Sequence, residues 1–151
     1  FIRCQTENAA EEIAAWNVGG VLLFGRDFRD KTPEEVRAMT VTLQTAAQIP
    51  LLIGADEEGG SVVRASSNPR LRPEKFAAPG QIYARGGAEA LAADAAEKSA
   101  FLLDLGVNVN FAPVADVAED RQSFLYDRTL GADAPATAQG PPWRRQKSAA
   151  C

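Results

Sequence analysis

Three short apolar runs, set apart by helix-forming stretches, restrict this chain more than anything else in it. Residues 20–24 (GVLLF), 51–55 (LLIGA) and 107–111 (VNVNF) have the length of strands. The first two are apolar without interruption, the pattern of strands covered on both faces. Residues 7–16 (ENAAEEIAAW) are rich in Ala and Glu, good helix formers, with Thr6 or Asn8 as the cap and Gly19 beyond the end. Thr32-Pro33-Glu34-Glu35 is a helix start. Thr32 caps it, Pro33 suits the first helical position, and Glu35 closes a capping box. Val36, Met39, Leu43 and Ala47 then fall on one face, and Pro50 ends the helix. Residues 66–79 read as a long loop rich in Pro, Arg and Ser. Residues 89–105 form a third helix, with Leu91, Ala95, Leu102 and Leu105 along one stripe and Gly106 as its stop. Strands that alternate with helices imply βαβ units, right-handed crossovers and a parallel sheet.

Parallel sheets of this kind gather their sites at the carboxyl ends of the strands. The second run ends in LLIGADEEGGSVVR: Asp56, Glu57 and Glu58, then Gly59-Gly60, then Arg64. Arg26-Asp27 follows the first run and Asp116 the third. Three adjacent carboxylates repel one another unless a cation, a set of sugar hydroxyls or an arginine sits among them. Arg64 is placed to neutralise one, and the two glycines allow a close backbone approach to a ligand. A carboxylate also accepts paired hydrogen bonds from neighbouring hydroxyls. The residues alone leave three readings open: a sugar-binding rim, a Mg²⁺ or Ca²⁺ site built from Asp56, Glu57, Glu58 and Asp116, or a solvated acidic turn. Arg128, in DRTLG, is by itself a loop arginine. Asn108 and Asn110 share one face of the third strand, and polar groups there need partners. They either face a wet barrel mouth or tie down neighbouring loops.

Composition removes several function classes. The sequence holds no histidine, which excludes a Ser-His-Asp triad, a His-rich zinc site or a His general base within this chain. A net charge of −4 gives no basic footprint for nucleic acid. No apolar run reaches the ~20 residues of a membrane-spanning helix. Gly19, Gly20 and Gly25 form neither a G-x-G-x-x-G nor a Walker loop. The two cysteines, Cys4 and Cys151, stand at opposite ends and make no disulfide framework. The first residues carry no charged-then-apolar leader pattern. That leans toward the cytoplasm, and the compartment stays open because Phe1 is not a start residue.

Taken in order, GGVLLFGRDF, PLLIGADEEGGSVVR, LGVNVNFAPVADV and DRTLG resemble the catalytic domain of glycoside hydrolase family 3, in its β-N-acetylhexosaminidase branch. The branch motif D-x-E-G-G-x-V-x-R is complete as Asp56, Glu58, Gly59, Gly60, Val62 and Arg64. The resemblance runs from about Glu12 to about Ala138. It implies an α/β fold, an incomplete (β/α)₈ TIM-type barrel comprising about the first three βα units, since a whole barrel needs ~250 residues. It implies retaining hydrolysis of a glycoside with a terminal N-acetylglucosamine, of the kind found in cell-wall glycans, with no cofactor and no metal. Position by position, Asp56 resembles the family carboxylate that binds sugar hydroxyls, and Arg64 and Arg128 the arginines that line the same pocket.

The family's nucleophile, an aspartate on a later strand, has no match here, and its acid–base histidine cannot be present. The expectation is therefore one wall of a sugar pocket without catalytic residues, since a retaining glycosidase needs two groups flanking the anomeric carbon. A non-catalytic sugar-binding remnant and a metal-dependent α/β enzyme using Asp56, Glu57 and Glu58 are the alternatives. Residues 1–138 are expected to form the barrel part. Residues 139–151, with GPPWRRQKSAAC at their end, have neither helical nor strand period, as in a truncated or frame-shifted product. Three barrel strands leave two open sheet edges and an uncovered apolar face, so the isolated chain is expected to aggregate or to be partly molten.

Overall fold

A computed structural model describes residues 1–3, 8–118 and 120–139. Its elements are α1 (Ala9–Trp16), β1 (Gly20–Leu23), α2 (Gly25–Phe28), α3 (Pro33–Ala46), β2 (Leu52–Ala55), α4 (Pro79–Asp104) and β3 (Val109–Asn110). A 3₁₀ turn over Tyr126–Arg128 and α5 (Ala134–Gln139) follow. The strands form one parallel sheet in the order β1-β2-β3. It is α/β with parallel strands, as the alternating pattern implies, and a partial TIM-type barrel, as the family resemblance implies.

The register aligns Val21 with Ile53 and Leu23 with Ala55. Side chains alternate along a strand, so these four share one face, and Gly20, Leu22, Leu52, Gly54 and Val109 share the other. The first face is buried against Ile13 of α1, Val36 and Leu43 of α3, and Leu102 of α4. The second face is open. Leu52 is 47% exposed and Phe111 42%. The Phe111 ring lies over Gly54 and the Phe1 ring over Gly20, where any Cβ would overlap them. The two rings meet edge to face at 5.0 Å. Helices cover one side of the sheet only, which is the arrangement of a barrel wall seen apart from the rest of its barrel. The outer edge of β1 is not open, however: Ile2 bridges Val21 in parallel, with Ile2 N–H donating to the Gly20 carbonyl at 3.0 Å and Leu22 N–H to the Ile2 carbonyl at 2.8 Å.

Local chemistry explains where the elements stop. The capping box of α3 forms as expected: Glu35 N–H donates to Thr32 Oγ1 at 3.3 Å, and Thr32 N–H to Glu35 Oε2 at 2.7 Å. The α1 start differs, since Asn8 makes no side-chain cap bond; Thr6 and Glu7 lie outside the described residues. Strand β1 ends at Leu23 because Phe24 N–H turns to the Asp27 carboxylate at 2.7 Å and starts the short α2. Strand β2 begins at Leu52 because the Gln44 amide takes both backbone groups of Leu51, at 2.7 and 2.9 Å. Asn108 replaces a ladder rung with its side chain, accepting from Ile53 N–H at 2.8 Å and donating to the Leu51 carbonyl at 3.1 Å. That shortens β3 to Val109–Asn110.

The helix expected over residues 89–105 is the second part of α4, which ends at Asp104; the difference from expectation is a further helical stretch from Pro79, joined to it across a kink at non-helical Gly86 and Gly87. Its first turns lie against the segment that follows the sheet: a Cβ on Gly80 would come within 3.2 Å of the Thr129 carbonyl and 3.3 Å of that of Leu130. The far end of α4 is tied to α3, where Arg37 Nε donates to the Asp104 carbonyl at 2.9 Å and Thr40 Oγ1 to the Leu105 carbonyl at 3.0 Å.

Candidate functional site: an acidic rim at the strand ends

The three carboxylates at the end of β2 point to three different partners. Asp56, its side chain 22% exposed, receives Arg64 Nη2 at 2.9 Å and Nε at 3.3 Å, both on Oδ2. Its Oδ1 has no described donor. Glu57 turns the other way and is fully buried. It accepts the backbone N–H groups of Arg64 (3.0 Å), Ala65 (2.8 Å) and Ser66 (3.4 Å), together with the Ser66 hydroxyl. The bend that brings Arg64 back over Asp56 is therefore held by Glu57. Glu58, also buried, takes a two-pronged bond from Arg128, Nε at 2.9 Å and Nη2 at 2.8 Å. Such forked pairs are the stronger kind of ionic hydrogen bond.

The family resemblance puts Arg128 in the same pocket as Asp56; the structure pairs it with Glu58 and brings the two ion pairs into one electrostatic neighbourhood. The hydrogen bond to Glu58 raises the Arg128 pKa above its ordinary value, burial opposes this, and the charges of Glu58, Asp56 and Asp116 add to it. Arg128 is thus a fixed cation. Each arginine also lies near an aromatic ring: Arg64 is 5.7 Å from the Phe24 centroid, Arg3 is 4.4 Å from the same ring, and Arg128 is 5.2 Å from Phe124.

The supports beneath are backbone contacts. Asn110 accepts Glu57 N–H at 3.0 Å and donates to the Glu57 carbonyl at 3.2 Å. The two asparagines of the third strand therefore tie down neighbouring backbone, the second of their two readings. Gly59 (φ 103°) and Gly60 (φ 65°) adopt left-handed backbone, and Glu58 and Gly59 N–H both donate to the Val62 carbonyl, at 3.0 and 3.1 Å. A Cβ on Gly59 would overlap the Ala77 carbonyl, and one on Gly60 would press on Ala78. The close approach these glycines permit is to residues 77–78 of the chain, which corrects the expectation of a ligand there.

The metal reading loses its geometry. Asp56 and Glu58 are each neutralised by an arginine, and Glu57 is spent on backbone N–H groups. Among the described residues no three His, Cys, Asp or Glu side chains are grouped to hold an ion. A hollow of about 580 Å³ lies nearby between Gly60, Ser61, Tyr83, Tyr126 and Leu130. Asp56, Arg64 and Arg128 are not among its walls. Sequence reasoning missed Glu58 as the partner of Arg128, because 70 residues separate them. It also missed Phe24 and Phe124, although Phe124 precedes Arg128 by one helical repeat.

A parallel sheet with helices on one face and charged groups at its carboxyl ends defines a TIM-type barrel wall bearing part of a site. Residues 3–139 match the Glycosyl hydrolase family 3 N terminal domain, and the chain belongs to that family. A beta-hexosaminidase of Alkalilimnicola ehrlichii is 38% identical over 123 residues, covering 75% of this chain and 32% of that protein. One from Vibrio cholerae is 37% identical over 102 residues, covering 66% and 29%. The chain thus spans about a third of the length of these curated relatives. A glycoside hydrolase family 3 beta-N-acetylglucosaminidase from Paenibacillus sp. superposes with a TM-score of 0.77 at 30% identity, over 88% of this chain and 25% of that one. NagZ from Neisseria gonorrhoeae in complex with N-trifluoroacetyl-D-glucosamine gives a TM-score of 0.62 at 25% identity, over 91% and 40%.

Proposed function

We propose that this chain is the first part of a retaining β-N-acetylhexosaminidase barrel and supplies the sugar-binding wall of its active site. The substrate class is a saccharide ending in N-acetylglucosamine. The observation that carries the reading is the state of Asp56: one oxygen held by Arg64, the other without a described donor, on the rim where the strands end. A carboxylate fixed in this way is oriented by its arginine and has acceptor capacity left for a hydroxyl. Arg64 and Arg128 complete a polar cradle with no group of metal-ligating side chains among the described residues, which suits an uncharged sugar. The names of the relatives and the amino-sugar complex of one of them point the same way.

The chain taken alone binds and does not turn over. It contains no histidine for the family's acid–base step, and Asp56 and Glu58 are paired with arginines. Two measurements test this. Ligand-observed NMR with N-acetylglucosamine should detect binding that Asp56→Ala abolishes; equal signals for both proteins would overturn the assignment of Asp56. A chromogenic N-acetylglucosaminide should yield no product above background, and steady hydrolysis by the purified chain would refute the claim that it lacks the chemistry.

A further inference from the structure

Lys98 is 5% exposed on the inward stripe of α4, seven residues after Leu91 and four before Leu102. An aliphatic side chain belongs there by pattern. The ammonium instead donates to the Asp94 carboxylate at 2.6 Å and to the Glu58 carbonyl at 2.7 Å, and lies 5.5 Å from the Phe76 centroid. It sits directly beneath the turn, since a Cβ on Gly59 would come within 3.2 Å of Nζ. A buried ion pair of this kind adds little net stability compared with apolar packing. Its placement calls for another reason, and its second hydrogen bond supplies one.

We propose that Lys98, held by Asp94, is a positioning residue for the Glu58–Arg128 pair. Glu58 is gripped at both ends: its carbonyl by Lys98 from below, its carboxylate by Arg128 from the rim. The residue thus joins the helix layer to the 3₁₀ turn that carries Arg128. With the ammonium gone, the Glu58 backbone loses its one charged anchor among the described contacts, and the fork to Arg128 loosens. The consequence for sugar binding rests on the reading of Arg128 as a pocket arginine.

Trypsin reads the pair directly, because cleavage after Arg128 requires its guanidinium to leave Glu58. Arg121, exposed on the same segment, is the internal reference. Lys98→Met combined with Asp94→Asn removes the ammonium without stranding a buried charge. In this variant, with helical circular dichroism retained, cleavage after Arg128 relative to Arg121 should rise roughly five- to tenfold, and Lys98→Arg should restore protection. An unchanged ratio in the folded variant overturns the proposal. If the double variant does not fold, Arg128→Ala decides by reciprocity: hydrogen exchange over residues 57–60 should quicken, and unchanged exchange overturns the proposal equally. Ligand-observed NMR with N-acetylglucosamine separates the two ideas. An unbound wild-type chain with a risen ratio sinks the sugar reading and leaves the positioning role, whereas bound sugar with an unchanged ratio sinks the positioning role alone.

Discussion

The two faces of the same three strands are in different states. Toward the helices, Val21, Leu23, Ile53 and Ala55 are closed off from water in one continuous core. Toward the inside of the barrel, Leu22 is half-buried, Leu52 is exposed, and Phe1 and Phe111 lie over glycines in place of a packed interior. The difference separates two tasks that a complete barrel performs together. The helix-side layer has its core residues within this chain, and it orients the charged rim. The inner layer needs strands that are not here.

The sharpest way to break that contrast is to compare neighbours on β2. Ile53→Ala should cost about 2–5 kcal/mol as a cavity in the closed layer. Leu52→Ala, on the open face, should cost about 1 kcal/mol or less. Urea melts followed by circular dichroism measure both, and equal losses would mean the faces do not differ. Glu57→Gln tests the boundary between the layers: weakening an acceptor of three backbone N–H groups and a hydroxyl should destabilise by about 1–3 kcal/mol. It should also lower affinity for N-acetylglucosamine, because Arg64 loses its hold. Thr32→Ala, far from the rim, should cost about 1 kcal/mol through the lost cap and leave sugar binding unchanged.

The open face makes a prediction of its own. Sedimentation velocity should show association that grows with protein concentration and that Leu52→Lys reduces, since the charge blunts an exposed apolar surface. A wild-type chain that remains a monodisperse monomer at every concentration would remove the contrast altogether. The smallest effect is electrostatic. The helix-end backbone and then the Thr32 hydroxyl lower the Glu34 pKa from its ordinary 4.5, with Arg37 assisting. A depressed carboxylate stabilises the fold above its unfolded pKa, and that contribution fades as pH falls through the lower folded value. Glu34→Gln should therefore lower stability slightly at neutral pH, converge with the wild type well below pH 4.5, and so flatten the acid limb between.

What the sequence discloses is what is local. The capping box at Thr32 and Glu35 and the uninterrupted runs of β1 and β2 depend on neighbours in the chain, and they appear where pattern puts them. Pro79 suits the first helical position, yet it reads as the end of the loop over residues 66–79. Gly80 is explained only by the contact with Thr129 and Leu130, which no window on the sequence contains. The rim shows the same limit. Arg64 lies eight residues from Asp56 and was found with it, whereas the Glu58–Arg128 fork and the Lys98 contact beneath it span 70 and 40 residues. The motif fixed which side chains would matter, and long-range packing decided which of them meet.

The Phe24 ring has a consequence of its own. Arg3 and Arg64 both lie against it, so the first residues of the chain are within one side chain of the guanidinium that orients Asp56. A change at Arg3 would be felt as a change in how firmly the sugar-facing carboxylate is clamped, at a distance from any alteration of the pocket itself.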